Sequence, residues 1–283
     1  MDMEGVVVRN RYYRDEGSDY VCKRLAEELS ALGVKTSESN ASDVLAKDVL
    51  PSFVVFFDKD YAGARLLEKR GVRVFNPADS IRICDDKFLT QVELYGIADF
   101  PKTICSPLRY AATEKKDGLF LDGVCKALGF PLVAKFCVGS LGAQVFLIKD
   151  RLGLEWFHSE NEARGRIIYQ EYVESSRGKD IRIYTVGGKA VACVARESST
   201  SFKSNAEVGA VTNKFVPSPE HIATAERISR HLKLDYAAID FFRTMSPIVV
   251  EVNSNAYFKD AERVCGVDIA ACYARHIAKE IGC

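Results

Sequence analysis

The chain has 283 residues, 39 basic and 39 acidic side chains, a formal net charge of +0, and 47% hydrophobic and 28% charged residues. This is a globular composition, long enough for about two compact domains. It lacks the basic footprint of a general nucleic-acid binder, and no apolar run approaches the ~20 residues that a bilayer-crossing helix needs.

Residues 1–10 mix acids, glycine and a valine run, without the basic-then-apolar layout of a secretory signal, so the cytoplasm is the expected location. Gly5 to Val8 reads as a buried strand, and Ser18-Asp19 as the cap of a helix whose Val21, Leu25, Leu29 and Leu32 share a face before Gly33. A strand from Phe53 to Phe57, a helix through Ala62, Leu66 and Leu67, and a strand Val72 to Phe75 follow. Strand and helix alternating in this way predict a small parallel α/β domain, residues 1–83. A helix between Asp85 and Gly96 and an extended Lys102 to Ile104 open the next part, with a helix over 119–129 and strands Leu132 to Phe136 and Val145 to Ile148, residues 84–166. From Ile167, β signals dominate: Ile167 to Tyr172, Ile181 to Val186, Ala190 to Ala195, Val211 to Val216, Tyr236 to Phe242 and Ile248 to Val252. Helices starting at Ser218-Pro219 and at Asp268 complete residues 167–283.

The nine cysteines contain no C-x-x-C pair and read as reduced core or helix residues; the four histidines show no paired metal spacing, so zinc and histidine-based triads are not expected. The sharpest chemical signal is the C-terminal hairpin. A loop of Thr244 to Pro247 would pair Arg243 with Ile248, Phe242 with Val249, Phe241 with Val250 and Asp240 with Glu251. Two carboxylates facing each other repel unless something compensates. Asn253 shares the face of Glu251, and this oxygen set suits Mg²⁺; neutralisation by lysine or arginine is the plain alternative. Lys135 stands in an apolar strand before a loop with Gly139 and Gly142, an arrangement that suits a phosphate or, more plainly, marks an edge strand.

The order of these pieces resembles the ATP-grasp ligases, in particular the RimK-like carboxylate–amine (alpha-L-glutamate) ligases. The resemblance rests on Asp86-Lys87, Pro101-Lys102-Thr103, Lys135 with Gly139-Ser140-x-Gly142, Gln170-Glu171-Tyr172-Val173, Gly178-Lys179-Asp180-Ile181-Arg182, Ala195-Arg196, Phe202-Lys203-Ser204-Asn205, Ile239-Asp240 and Glu251-Val252-Asn253. It implies an ATP-grasp fold, α/β and α+β, preceded by the small parallel-sheet domain. It also implies that Lys87, Lys135, Gly139, Ser140 and Gly142 serve the ATP phosphates, that Gln170, Glu171, Tyr172 and Val173 surround adenine, and that Asp180 holds the ribose. Asp240, Glu251 and Asn253 would bind Mg²⁺, with Mn²⁺ able to substitute, and Arg196, Lys203 and Asn205 would lie beside a reacting acyl phosphate. Lys203 stands where the family commonly has arginine, keeping charge but losing the bidentate fork.

Departures concern the acceptor. Asn253 is followed by Ser254-Asn255-Ala256-Tyr257-Phe258-Lys259 instead of the usual small residue and Ser-Pro-Gly, and Gln144 replaces the last glycine of the phosphate loop. The expected activity is an ADP-forming ligase making an amide through an acyl phosphate. It would add an amino acid such as glutamate to a peptide, protein or small molecule, with joining of free amino acids as one rival and a non-catalytic nucleotide-binding regulator as another. Tyr257, Phe258 and Lys259 are the candidate contacts for the second substrate, the plain alternative being that the two aromatics pack under the final helix and Lys259 is solvated; a homo-oligomer stays open.

Overall fold

The computed structural model describes residues 4–109, 117–139, 144–204 and 209–283. Strands β1 (Glu4–Arg9), β2 (Lys35–Ser39), β3 (Phe53–Phe57) and β4 (Arg73–Phe75) form a parallel sheet in the order β2-β1-β3-β4, joined by helices α1 (Glu16–Ala31), α2 (Ala41–Leu45) and α3 (Tyr61–Lys69) and followed by α4 (Ala78–Asp85). The hydrophobic pattern misses β2, because Lys-Thr-Ser-Glu-Ser is a polar edge strand held by backbone pairing. Helix α1 starts earlier than the sequence suggests. Asp15 caps it by accepting from the Ser18 N–H, while the Asp15 N–H donates to the Ser18 hydroxyl, and Leu32 lies beyond the helix end and is exposed.

Helix α5 (Lys87–Glu93) leads to an antiparallel sheet made of β5 (Thr103–Cys105), β6 (Leu132–Phe136), β7 (Val145–Ile148) and β8 (Ile167–Glu171), ordered β5-β8-β6-β7 and packed with α6 (Gly118–Leu128) and α7 (Arg151–Asn161). The expected boundary at 166 cuts this sheet. β8 opens the β-rich stretch in sequence, yet its partners are β5 and β6.

A second antiparallel sheet, β11-β10-β9-β12-β13, comprises β9 (Lys179–Val186), β10 (Lys189–Glu197), β11 (Val211–Lys214), β12 (Tyr236–Phe242) and β13 (Val249–Asn253). Its two faces follow the period of two along each strand. Ile181, Ile183, Phe241 and Val252 pack with Ala225, Ile228 and Leu232 on or just after α8 (Pro219–His231). At the other face Tyr184, Tyr236 and Ala238 join Val7, Phe53 and Phe75 of the parallel sheet and Tyr273 and Ile277 of α10 (Ile269–Ile281), with α9 (Lys259–Cys265) alongside. All nine cysteines are free, and five are buried.

Besides the shared core, a buried amide fastens the parallel sheet to this second sheet. Asn76 is 1% exposed; its Nδ2 donates to the carbonyls of Tyr236 and Ser254, both at 2.8 Å, and its Oδ1 accepts from the Asp235 N–H at 2.7 Å and the Tyr236 N–H at 3.0 Å. Both donors and both lone pairs are used. Asn76→Ala strands these buried backbone groups and should lower stability by about 2 to 4 kcal/mol. Urea denaturation checks this, and a loss below 1 kcal/mol would contradict the role.

Candidate functional site

Alternation along β9 puts Asp180, Arg182 and Tyr184 on the face opposite Ile181 and Ile183. Cross-strand register then sets out rows of charge. Arg196 of β10 stands opposite Asp180; Arg182 stands opposite Asp240 of β12, which in turn stands opposite Glu251 of β13. Each arginine grips its partner through two N–H groups: Arg182 Nε and Nη2 donate to Asp240 at 2.7 and 2.8 Å, and Arg196 Nε and Nη2 donate to Asp180 at 2.8 and 2.5 Å. Arg196 Nη2 also reaches Asp240 Oδ2 at 3.0 Å, tying the rows together. Burial alone would raise the Asp240 carboxyl; Arg182 and Arg196 outweigh it and hold the group below the ordinary carboxylate value. Sequence reasoning assigned no role to Arg182, although its period-two relation to Asp180 was the available signal.

The expected pairing of Asp240 with Glu251 is present, reached by a different turn. Phe241 pairs with Val249, not Val250, so a bulge falls between Asp240 and Phe241 and restores the register on which Asp240 meets Glu251 and Ala238 meets Asn253. Asn253 Nδ2 lies 3.5 Å from Asp240 Oδ2. The donor set is two carboxylates and an amide, and a carboxylate oxygen holding one N–H keeps a second lone pair, so these residues fit a hard divalent cation.

Lysines gather at the Glu251 end. Lys87 Nζ is 3.2 Å from Glu251 Oε1 and donates to the Gly139 carbonyl at 2.8 Å, while its backbone N–H donates to the Cys137 carbonyl. Lys135 is no edge lysine, because β6 lies between β8 and β7. Burial pushes its amine down to about 8, helped by Lys87 and opposed by Glu251. Gly139 has φ +151, and a Cβ there would overlap the Gln144 side-chain oxygen, so the residue that replaces the last loop glycine packs on the first. Ser140 and Gly142 lie outside the described residues.

At the opposite wall, Gln170 donates to the Thr103 hydroxyl at 2.9 Å, and Glu171 accepts from the Lys102 N–H through a side-chain oxygen while its own N–H donates to the Lys102 carbonyl. Tyr172 meets Phe202 edge-on at 6.5 Å, and Val173 leads into a single turn. Gly178, at φ +66, lets the 198–202 segment close on β9: a Cβ would lie 2.5 Å from the Ser198 carbonyl oxygen. The Gly178 N–H donates to the Phe202 carbonyl, which delivers Lys203 to the cleft and the Ser204 hydroxyl to Asp180. Asn205 lies outside the described residues.

Apart from Gly139 and Phe258, every expected site residue that is described lines one cleft of about 840 Å³. The far side of the cleft comes from the first domain, with Arg9, Asn10, Tyr13 and Glu16. Tyr257 lies there against Gly17, but Phe258 does not: it is fully buried, packed edge-on against Tyr20 and Tyr236, because a large ring at the N-cap of α9 completes the core more readily than it lines a polar cleft. Lys259 lines the cleft and pairs with Glu16.

Residues 104–277 match the RimK-like ATP-grasp domain. An uncharacterized MG012 homolog of Mycoplasma pneumoniae is 32% identical over 209 residues, 71% of this chain and 72% of that protein. The N-acetylaspartylglutamate synthase A of Homo sapiens is 30% identical over 228 residues, 80% of this chain and 57% of that protein. The crystal structure of a RimK domain ATP-grasp protein from Sphaerobacter thermophilus superposes with a TM-score of 0.71 at 18% identity, covering 97% of this chain and 99% of that one.

The Lys135 amine makes a testable contribution. Its folded pKa of about 8 lies below the ordinary 10.5, so between these values the folded chain binds fewer protons than the unfolded chain and stability rises with pH. Relative to Lys135→Met, the wild type should gain up to about 3 kcal/mol across that window, read from urea midpoints. Parallel curves for the two proteins would contradict the burial of a charged amine.

Proposed function

Because the chain belongs to the RimK-like ATP-grasp family of ADP-forming carboxylate–amine ligases, we propose that it activates a substrate carboxylate as an acyl phosphate and passes the acyl group to an amine. In this reading the carboxylate oxygen attacks the γ-phosphorus as ADP leaves, and the amine nitrogen then attacks the acyl carbon, expelling phosphate and losing a proton. The observation that carries it is the gradient of charge along one cleft: lysines 87 and 135 at one end, Glu251 and Asp240 in the middle, Arg196 beyond.

Asp240, Glu251 and Asn253 would hold Mg²⁺, which supplies neutralisation of the transferring phosphoryl group. Lys87 and Lys135 take the phosphate oxygens, and the Glu171 to Val173 segment borders adenine. Asp180 carries the ribose assignment from the motif, but with Arg196 and Ser204 on its oxygens its first task in this reading is to aim Arg196. Arg196 and Lys203 then face the acyl phosphate, where fixed positive charge lowers the barrier without reorganisation. Phe242, Val250 and Val133 give the nucleotide half an apolar lining that favours exclusion of water from the intermediate.

The amine enters from the side formed by the first domain. Tyr257 and the Lys259–Glu16 bridge narrow that side, which favours an amino acid or a peptide end over a folded protein surface. Glutamate is the first donor to test, on the named activity of the synthase relative. An ADP-release screen pairing glutamate and other amino acids with acids and short peptides, with product masses measured, should find a pair that gives Mg²⁺-dependent ADP and a product lighter by one water than the sum of its substrates. Glu251→Gln should lower that rate by about 100-fold or more with little change in melting temperature. Nucleotide binding with no turnover on any pair would favour a regulator instead.

A further inference from the structure

The sheet carrying Lys135 also carries, away from the cleft, a cluster of ligand-type side chains that the ligase reading leaves unused. His158 lies on α7 and Glu162 follows four residues later, just past the helix end; Asp117 precedes α6. His158 Nε2 stands 3.5 Å from Glu162 Oε2 and 3.5 Å from Asp117 Oδ2, and the three ligand atoms lie within 4.8 Å of one another. The imidazole is buried, and the Glu162 side chain is 9% exposed.

Three observations separate this cluster from an ordinary ion pair. The first is distance: a charge-assisted N–H···O bond closes to ~2.7–2.9 Å. Two ligands held ~2.0–2.1 Å from a tetrahedral ion stand about 3.4 Å apart. Both His158 contacts match the second figure. The second is orientation: Asp117 is the N-cap of α6, where an aspartate ordinarily accepts from the first-turn N–H groups, yet it makes no capping bond and its carboxylate is turned to His158. The third is the surrounding shell. His158 Nδ1 is 2.7 Å from the hydroxyl of buried Tyr169, the support that orients a ligating imidazole through Nε2, and Arg109 pairs with the other oxygen of Glu162.

We propose that Asp117, His158 and Glu162 form a structural site for a divalent transition ion of the zinc type, separate from the cleft carboxylates. One imidazole and two carboxylates suit such an ion, with solvent able to supply the fourth ligand on the half-exposed Asp117 side. The ion ties the start of α6 to the end of α7 across the layer that covers the sheet. Sequence reasoning set zinc aside because it sought paired histidines; this set uses one histidine, a carboxylate one helical turn away, and a third ligand remote in sequence.

The test uses the full chain carrying Glu251→Gln, which weakens metal binding in the cleft, freed of metal with a chelator and titrated calorimetrically with Zn²⁺ alone. One equivalent should bind, and His158→Gln should weaken it by about 100-fold or more, with Tyr169→Phe weakening it by about 10-fold. Co²⁺ in place of Zn²⁺ should give the intense visible absorption of a tetrahedral site. If His158→Gln does not fold, Asp117→Asn, on the more exposed ligand, should weaken Zn²⁺ binding while circular dichroism stays unchanged. Absence of Zn²⁺ binding, or binding that neither His158→Gln nor Asp117→Asn alters, would overturn the site.

Discussion

Two arginine–aspartate pairs placed side by side on one face of a β-sheet are the constraint on which the rest of the cleft depends. Moving a charge into a protein interior costs several kcal/mol after relaxation, and mutual attraction offsets this only when the geometry is good and every donor is used. Here the strand register supplies that geometry: Arg182 opposes Asp240, Arg196 opposes Asp180, and Arg196 bridges the two. The pairs allow a run of charge to persist in a sheet whose other face is apolar. They also decide what Asp240 is. Its carboxyl is held below the ordinary carboxylate value although buried, because two guanidinium groups grip it.

The neighbouring features follow from keeping this array dry and aligned. Gly178 removes the side chain that would block the 198–202 segment, so the segment folds over the array and brings Ser204 to Asp180. Asn76 locks the parallel sheet onto the start of β12, which places the first domain's loop opposite the charged face. The lysines come from the other sheet and from α5, so the lysine end of the cleft spans two structural layers while the end with Asp180, Arg182 and Asp240 is built within one.

Much of this was legible in the sequence where the rule was local. Short apolar runs located β6 and β12, and hairpin arithmetic brought Asp240 opposite Glu251. That arithmetic assumed the wrong turn: β12 ends at Phe242 and β13 starts at Val249, leaving residues 243–248 between them instead of 244–247, and one bulge restores the pairing, a compensation that no alternation pattern contains. The fold class was readable from alternating strands and helices together with the motif order. What was not readable depended on distant partners. β8 looked like the start of a C-terminal sheet but completes the earlier one, Phe258 was open between pocket and core and fills the core, and the Arg182–Asp240 grip joins residues in different motifs. Asp117 and His158 meet only because α6 and α7 lie on the same sheet.

The central claim is that Arg182 and Asp240 form one energetic unit within the charged array of the cleft. A double-mutant cycle measures this directly, using urea denaturation of the wild type, Arg182→Met, Asp240→Asn and the double variant. Asp240→Asn leaves the Arg182 guanidinium without its carboxylate and Arg182→Met leaves Asp240 on Arg196 alone, so each should cost about 3 kcal/mol, while the double change should cost clearly less than the sum, giving a coupling energy of about 2 kcal/mol or more. Single effects that add to within about 0.5 kcal/mol would show that the two groups are independent and would contradict the account.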